Sequence, residues 1–397
     1  MSTDGPHAAR LTRAYAALDA AATRDHGLQL TIGDATLQRS VRPSHVRALL
    51  WRQGIELGFD AGPELFSTML ALRLCGSLAP LPNLSRAARR FAKLHDRGRF
   101  DFFIDPNTHP RDTDTTSVAA AALFEAGAWS AAELHAAAAE LPRSAFVPGN
   151  PEASPSSQLL GLQDVLMVYW LDRLTPGTPL PRHGTFDAVA AVNGLYALAL
   201  AESLGQVDGG AVIAATEAFV EGWAESAAFL GGTLYYPSPD AFLCFLALLC
   251  ERFPRRFARL TRALSRALRT RVRAIDGGSP ALPGSLNSPA APPPRGSATA
   301  VLADPASAIN LAHRLIAADV AARIADERID AADAWRHRLL SLQSADGSWP
   351  AGPLYAFGTL PLYAGSPALT TSFAVRALGW TVADDRRAEG GTQRVAG

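Results

Sequence analysis

Lysine is almost missing from this chain: Lys93 is the only one, and arginine supplies the rest of a basic complement of 37 that equals the 37 acidic residues. The formal net charge is therefore zero. That leaves no basic excess to hold a nucleic-acid backbone and no polybasic run to hold an anionic membrane surface. Cysteine is scarce and odd in number: Cys75, Cys244 and Cys250 each lie inside an apolar stretch. They read as buried thiols in a reducing compartment rather than a disulfide framework. The nine histidines are dispersed, and no His-x-x-x-His or Cys-x-x-Cys spacing suggests zinc. The longest apolar runs, Ala188–Ala201 and Ala241–Cys250, fall short of the roughly 20 residues a membrane span needs. The opening Met-Ser-Thr-Asp-Gly-Pro-His carries no basic-then-apolar leader, and a cytoplasmic protein is expected.

What is present is helix. With 48% hydrophobic and 19% charged residues in 397, the chain can bury a large core. Helical periodicity dominates, no strand alternation stands out, and about fourteen helical segments are expected, one of them over Ser157–Arg173. That number is too large for a simple bundle and suits paired helices closed into a toroid, so the predicted class is all-α. One stretch breaks the pattern: residues 276–304, with Pro292-Pro293-Pro294 and few apolar positions, predict a flexible insertion. The expected organisation is one helical domain over residues 1–381 carrying that insertion, followed by a disordered tail at 382–397.

The motif with most chemical content is Asp112-Thr-Asp114-Thr115-Thr116-Ser117, two carboxylates at the mouth of an alanine-rich apolar helix. Burial disfavours the charged form of a carboxylate, and a like charge nearby disfavours it further. A carboxyl group kept neutral near pH 7 can serve as a strong general acid. Helix capping is the plainer account, because Asp and Thr favour N-caps and helix N-termini attract carboxylates.

Residues 343–350, Gln343-Ser-Ala-Asp346-Gly347-Ser348-Trp349-Pro, resemble the Gln…Asp-Gly-Ser-Trp repeat of the terpene cyclase and prenyltransferase superfamily. The Asp112–Thr116 stretch is similar to the Asp-x-Asp-Thr-Thr variant of the class II cyclase signature, the form associated with single-barrel drimane-type sesquiterpene cyclases. Phe186-Asp187…Asn193-Gly-Leu and Tyr235-Tyr236-Pro-Ser-Pro-Asp240-Ala-Phe242 resemble two further helix starts of bacterial class II enzymes. The resemblance implies an (α/α)6 barrel and a protonation-initiated cyclisation of a linear prenyl diphosphate. Farnesyl diphosphate is the first choice and geranylgeranyl diphosphate the second. It assigns the general acid to Asp114, its support to Asp112, and hydrogen bonding around the pair to Thr115 and Thr116. No Asp-Asp-x-x-Asp stands on an apolar helix, which argues against initiation by diphosphate ionisation.

A carbocation in a dry cavity needs aromatic faces and no water. Trp51, Phe102, Phe103, Tyr169, Trp170, Tyr235, Tyr236 and Phe357 are the candidates for lining it, with core packing as the alternative for each. Asn193, a buried amide, either binds the acid or bridges helices. His109 and Arg111 flank the acidic motif and are candidates for the substrate head. No protein-held metal is expected; a magnesium ion would come with the substrate's diphosphate, and a separate phosphatase would act downstream. The rival from another class is a non-catalytic barrel that binds an isoprenoid or lipid. A carbohydrate-active barrel would call for a polar cleft with carboxylates across it.

Overall fold

The computed structural model describes residues 4–390, except 24, 53–60, 76–80, 107–108, 149–160, 171–184, 206, 208, 278–301, 303 and 359. In chain order the helices are α1 (Asp4–Ala21), α2 (Pro43–Trp51), α3 (Phe66–Cys75), α4 (Pro82–Phe91), α5 (Thr113–Glu125), α6 (Ala131–Glu140) and α7 (Ala188–Glu202). They continue with α8 (Gly210–Glu225), α9 (Pro239–Arg252), α10 (Ala258–Asp276), α11 (Ala308–Ala325), α12 (Ala332–Ser341) and α13 (Pro367–Gly390). Six of them close a ring: α3 packs on α5, then α7, α9, α11 and α13, and α13 returns to α3. The ring helices α3, α5, α7, α9 and α11 are buried nearly all round, as their continuous apolar sequences require. Around them α1, α4, α6, α8, α10 and α12 form an outer layer, each packed against one or two ring helices. Helices α4 and α10 show why: charged residues fill one face, while Leu84, Ala87 and Phe91, or Leu260, Leu264 and Leu268, bury the other. This is the helical toroid the sequence predicts.

Strands are the first difference. Short ones, β1 (Thr31–Gly33), β2 (Ser40–Val41), β5 (Tyr355–Ala356) and β6 (Tyr363–Gly365), form an antiparallel sheet in the order β2-β1-β6-β5. A hairpin joins β3 (His95–Asp96) to β4 (Arg99–Phe100). Elements of two or three residues are too short for alternation to be read. The expected helix over Ser157–Arg173 is the second difference. Its described part is a short turn over residues 161–164 followed by extended chain: Leu166 bridges Ala145 and Tyr169 bridges Asp112. The β-branched and aromatic run Val165-Leu-Met-Val-Tyr-Trp favours this form. Gly194 in α7 admits it, since a Cβ there would stand 2.5 Å from Leu166.

The tryptophan motif ties helix ends together. Gln343 donates to the Arg10 and Gly347 carbonyls, and the Trp349 indole, fully buried, donates to Leu339 at 2.7 Å. Gly347 has φ +95, and a Cβ would collide with the Arg13 backbone. Helix α13 continues to Gly390, past the position where the sequence predicts a tail; residues 391–397 and most of the expected insertion lie outside the described residues. Among the described residues no helix is long and apolar enough to cross a membrane.

Candidate active site

The N-terminal ends of α3, α5, α7 and α9 converge at one mouth of the ring, and the acidic pair sits in the first turn of α5. Asp112 is the N-cap: its carboxylate accepts from the Thr115 amide at 2.6 Å and from the Thr115 hydroxyl at 2.8 Å. Capping and burial therefore coexist at this residue. Asp114 reaches away from its own helix. Asn193 Nδ2 on α7 donates to Oδ1 at 2.8 Å, and the Tyr236 hydroxyl, just before α9, donates to Oδ2 at 2.5 Å. Neither carboxyl is ion-paired among the described residues.

The electrostatics follow from that company. Burial lifts Asp112 to about 8, helped by the nearby Asp114 charge and opposed by the hydrogen bonds from Thr115. Burial lifts Asp114 to about 7, against the hydrogen bonds from Tyr236 and Asn193 and the more distant Arg73 charge. Both carboxyls are thus held protonated far above the ordinary carboxylate range. Tyr236, wholly buried, is itself pushed upward, first by burial and then by Asp114, so it stays a neutral donor.

Asp187 holds the frame. It caps α7 through the Val189 and Ala190 amides and accepts from the Tyr235 amide at 2.8 Å with its other oxygen. One carboxyl thereby fixes both the helix carrying Asn193 and the loop carrying Tyr236. Behind Asn193, its Oδ1 accepts from an Arg73 guanidinium nitrogen at 3.1 Å, and that guanidinium lies 3.6 Å above the Tyr196 ring.

Asp112, Asp114 and Thr115 face an apolar cavity of about 90 Å³ whose other walls are Phe102, Phe103, His109, Tyr169, Tyr235, Tyr355 and Phe357. The rings meet mostly edge to face, Phe102 with Phe103 at 5.0 Å and Phe102 with Tyr355 at 5.8 Å. These rings make most of the cavity wall and leave few polar atoms to hold water. The Tyr169 and Tyr235 hydroxyls share a hydrogen bond at 3.1 Å.

Several of the residues singled out in the sequence therefore meet here, while others do not. Trp51 is 69% exposed, since it ends α2 on the outside of the ring. Trp170 is buried, but its indole donates to the Glu140 carbonyl and the Arg99 guanidinium stacks on its face, away from the cavity. Arg111 turns to Asp96 and Asp101. Thr116 holds the Phe100 amide rather than the acidic pair. Arg73, an ordinary position on an apolar helix, gave no local signal. Among the described residues, no three His, Cys, Asp or Glu side chains converge to hold a metal ion.

No family model and no curated protein matches this sequence. Among solved structures, a protein from Actinoplanes is similar at 14% identity and a TM-score of 0.58, over 95% of this chain and 99% of that one. The type II terpene cyclase MstE from Scytonema is similar at 12% identity and a TM-score of 0.50, over 95% and 99%. A variant of MstE in complex with its substrate, geranylgeranyl dihydroxybenzoate, gives 13% identity and 0.51, over 94% and 96%. At these identities the likeness is one of fold alone: this chain shares the helical toroid on which MstE is built.

Proposed function

We propose that the protein is a class II terpene cyclase in which Asp114 protonates the terminal double bond of a linear prenyl substrate. The observation that supports this most is the state of Asp114. It is buried at an aromatic cavity and, among the described residues, paired only with the neutral donors Asn193 and Tyr236, and burial raises its pKa to about 7. In the proposed step the Asp114 O–H bond breaks and the alkene π pair forms the new C–H bond, leaving a tertiary cation and a carboxylate. Successive double bonds close rings onto the cation, and loss of a proton from carbon ends the sequence, so the product is an isomer of the substrate. Phe102, Tyr169, Tyr235 and Phe357 offer π faces to the cation, and Asp112, held by Thr115, keeps a second proton beside the acid.

Farnesyl diphosphate remains the expected substrate, with geranylgeranyl diphosphate second. Magnesium belongs to this reading only as the counter-ion of a diphosphate head, and removal of that head falls to a separate phosphatase. MstE, which shares the fold, takes geranylgeranyl dihydroxybenzoate, so a prenylated aromatic acid is the other head group to test. The cavity of about 90 Å³ is below the roughly 300 Å³ of small-molecule sites, so its aromatic walls must swing outward to admit a chain.

The test is to incubate the protein with farnesyl diphosphate, geranylgeranyl diphosphate or geranylgeranyl dihydroxybenzoate, treat the diphosphate reactions with phosphatase, and examine extracts for cyclised products. Cyclised product from wild type and none from Asp114→Asn is expected. Tight binding of the linear compounds without turnover would replace the cyclase with a non-catalytic isoprenoid carrier.

A further inference from the structure

An acid that must deliver a proton into a cavity needs that proton to point there, and the carboxyl alone does not decide this. Oδ1 of Asp114 faces the Asn193 side chain, whose amide can present either its NH2 or its oxygen. With NH2 forward, Asn193 donates and Oδ1 is held as an acceptor. With oxygen forward, Asn193 would accept a proton from Oδ1 and draw it toward α7, away from the substrate. The amide's orientation is chosen by whatever sits behind it, and that group is Arg73, 3.1 Å from Asn193 Oδ1. A guanidinium has only donors, so Asn193 can meet it only with its oxygen. Arg73 is held by the Tyr196 ring at 3.6 Å, and the Tyr196 hydroxyl is anchored on Glu125 at 2.5 Å. Among the described residues Arg73 has no carboxylate partner, so its contact to Asn193 faces no competing ion pair.

We propose that Arg73 is a positioning residue: by fixing the orientation of the Asn193 amide it keeps the Asp114 proton aimed into the aromatic cavity. This rests on Asp114 being the acid of the proposed reaction. Arg73 touches no substrate. It stands at the opposite mouth of the ring, beside a separate cavity of about 480 Å³ that Glu125, Glu251, Arg252 and Arg376 also line. That placement makes the relay accessible without disturbing the reaction cavity.

The decisive contrast is between Arg73→Lys and Arg73→Gln. Lysine is a donor only and preserves the amide's orientation, whereas glutamine can donate or accept and releases it. Arg73→Gln should lower kcat about ten- to hundredfold with KM nearly unchanged, while Arg73→Lys keeps most of the rate. Arg73→Ala should regain activity on addition of methylguanidinium, which the 480 Å³ cavity can admit. Asn193→Leu should lose activity and gain nothing from methylguanidinium. A second readout needs no turnover: the infrared carbonyl stretch of protonated Asp114, assigned by its loss in Asp114→Asn, should shift in Arg73→Gln and not in Arg73→Lys. Should Arg73→Gln fail to fold, the same band in Asn193→Leu carries the test, because deleting the amide must shift it. An unmoved band in these variants, equal losses in the Lys and Gln variants, or rescue of Asn193→Leu by methylguanidinium would each overturn the proposal. Absence of cyclisation by wild type would overturn the cyclase reading instead and leave the band to decide the amide's orientation.

Discussion

Asp114 and Asp240 occupy the same place on two helices of the ring. Each is the second residue of its helix, α5 or α9, each follows a capping side chain, and each is buried. Their chemistry is opposite. Asp240 lies between two guanidinium groups: Arg271 donates through Nε and Nη2 at 2.8 and 2.9 Å, and Arg314 Nε stands 3.3 Å away. Burial alone would raise its pKa, but Arg271 and Arg314 reverse this and hold Asp240 below the usual carboxylate range. Asp114 meets an amide and a phenol instead, and burial prevails. The same helix position thus makes a structural anion in one case and a protonated acid in the other. What differs is whether a cation stands within ion-pairing reach of the carboxylate.

The largest expected effect breaks the Asp114 side of the comparison. Asp114→Asn keeps size and most contacts but has no proton to give, so product formation should fall about a hundredfold or more while the circular dichroism spectrum is retained. An active variant would show that Asp114 is not the acid and only joins α5 to Asn193 and Tyr236, a tie that Asn could keep in part.

Next is stability against pH, where the two residues should show opposite slopes. Asp240, lowered when folded, contributes stability above its unfolded pKa of 3.8, and that contribution is lost as pH falls through the folded value. Asp240→Asn also leaves two buried guanidinium groups without their anion, a cost of about 3–5 kcal/mol at pH 7 that shrinks in acid. Asp114, raised when folded, contributes stability below 3.8 that is lost as pH rises through about 7. Asp114→Asn should therefore gain relative to wild type between pH 5 and 8. Thermal melts of wild type and both variants at about pH 3, 5 and 8 measure both slopes, that of Asp240 between the first two and that of Asp114 between the last two, and slopes of one sign would refute the contrast.

A smaller effect sharpens the acid's environment. Wild-type activity should decline as pH rises through about 7, where Asp114 ionises. Tyr236→Phe removes a hydrogen bond that favours the carboxylate, so this limb should move to higher pH, with a loss of about tenfold in kcat at its plateau. A limb moving to lower pH would mean that Tyr236 supports the protonated form instead. The smallest effect belongs to a residue outside both environments: Trp51→Ala, at a 69% exposed position, should change stability by no more than about 0.5 kcal/mol and leave product formation intact.

Much of the architecture was legible in the linear chain because its causes are local. Helical period and Pro–Gly punctuation act within a few residues, and so do the Asp112 cap and the Gln343–Trp349 tie, which is why the toroid could be anticipated. Local rules also erred. They made Ser157–Arg173 a helix, and nothing within reach of Trp51 or Trp170 could say which way each ring would face. Asp114 could be named from its motif, but the motif does not contain what makes it an acid. Asn193 lies 79 residues away and Tyr236 lies 122 away, and Arg73 is 120 residues from the Asn193 it orients. A carboxyl's pKa is set by desolvation and by charges within about 4–6 Å in space. The sequence by itself determined the helices, the caps and the position of the carboxyls. Only closure of the ring decided which carboxyl met arginine and which met an amide and a phenol, because that choice depends on distances between helices that no local rule contains.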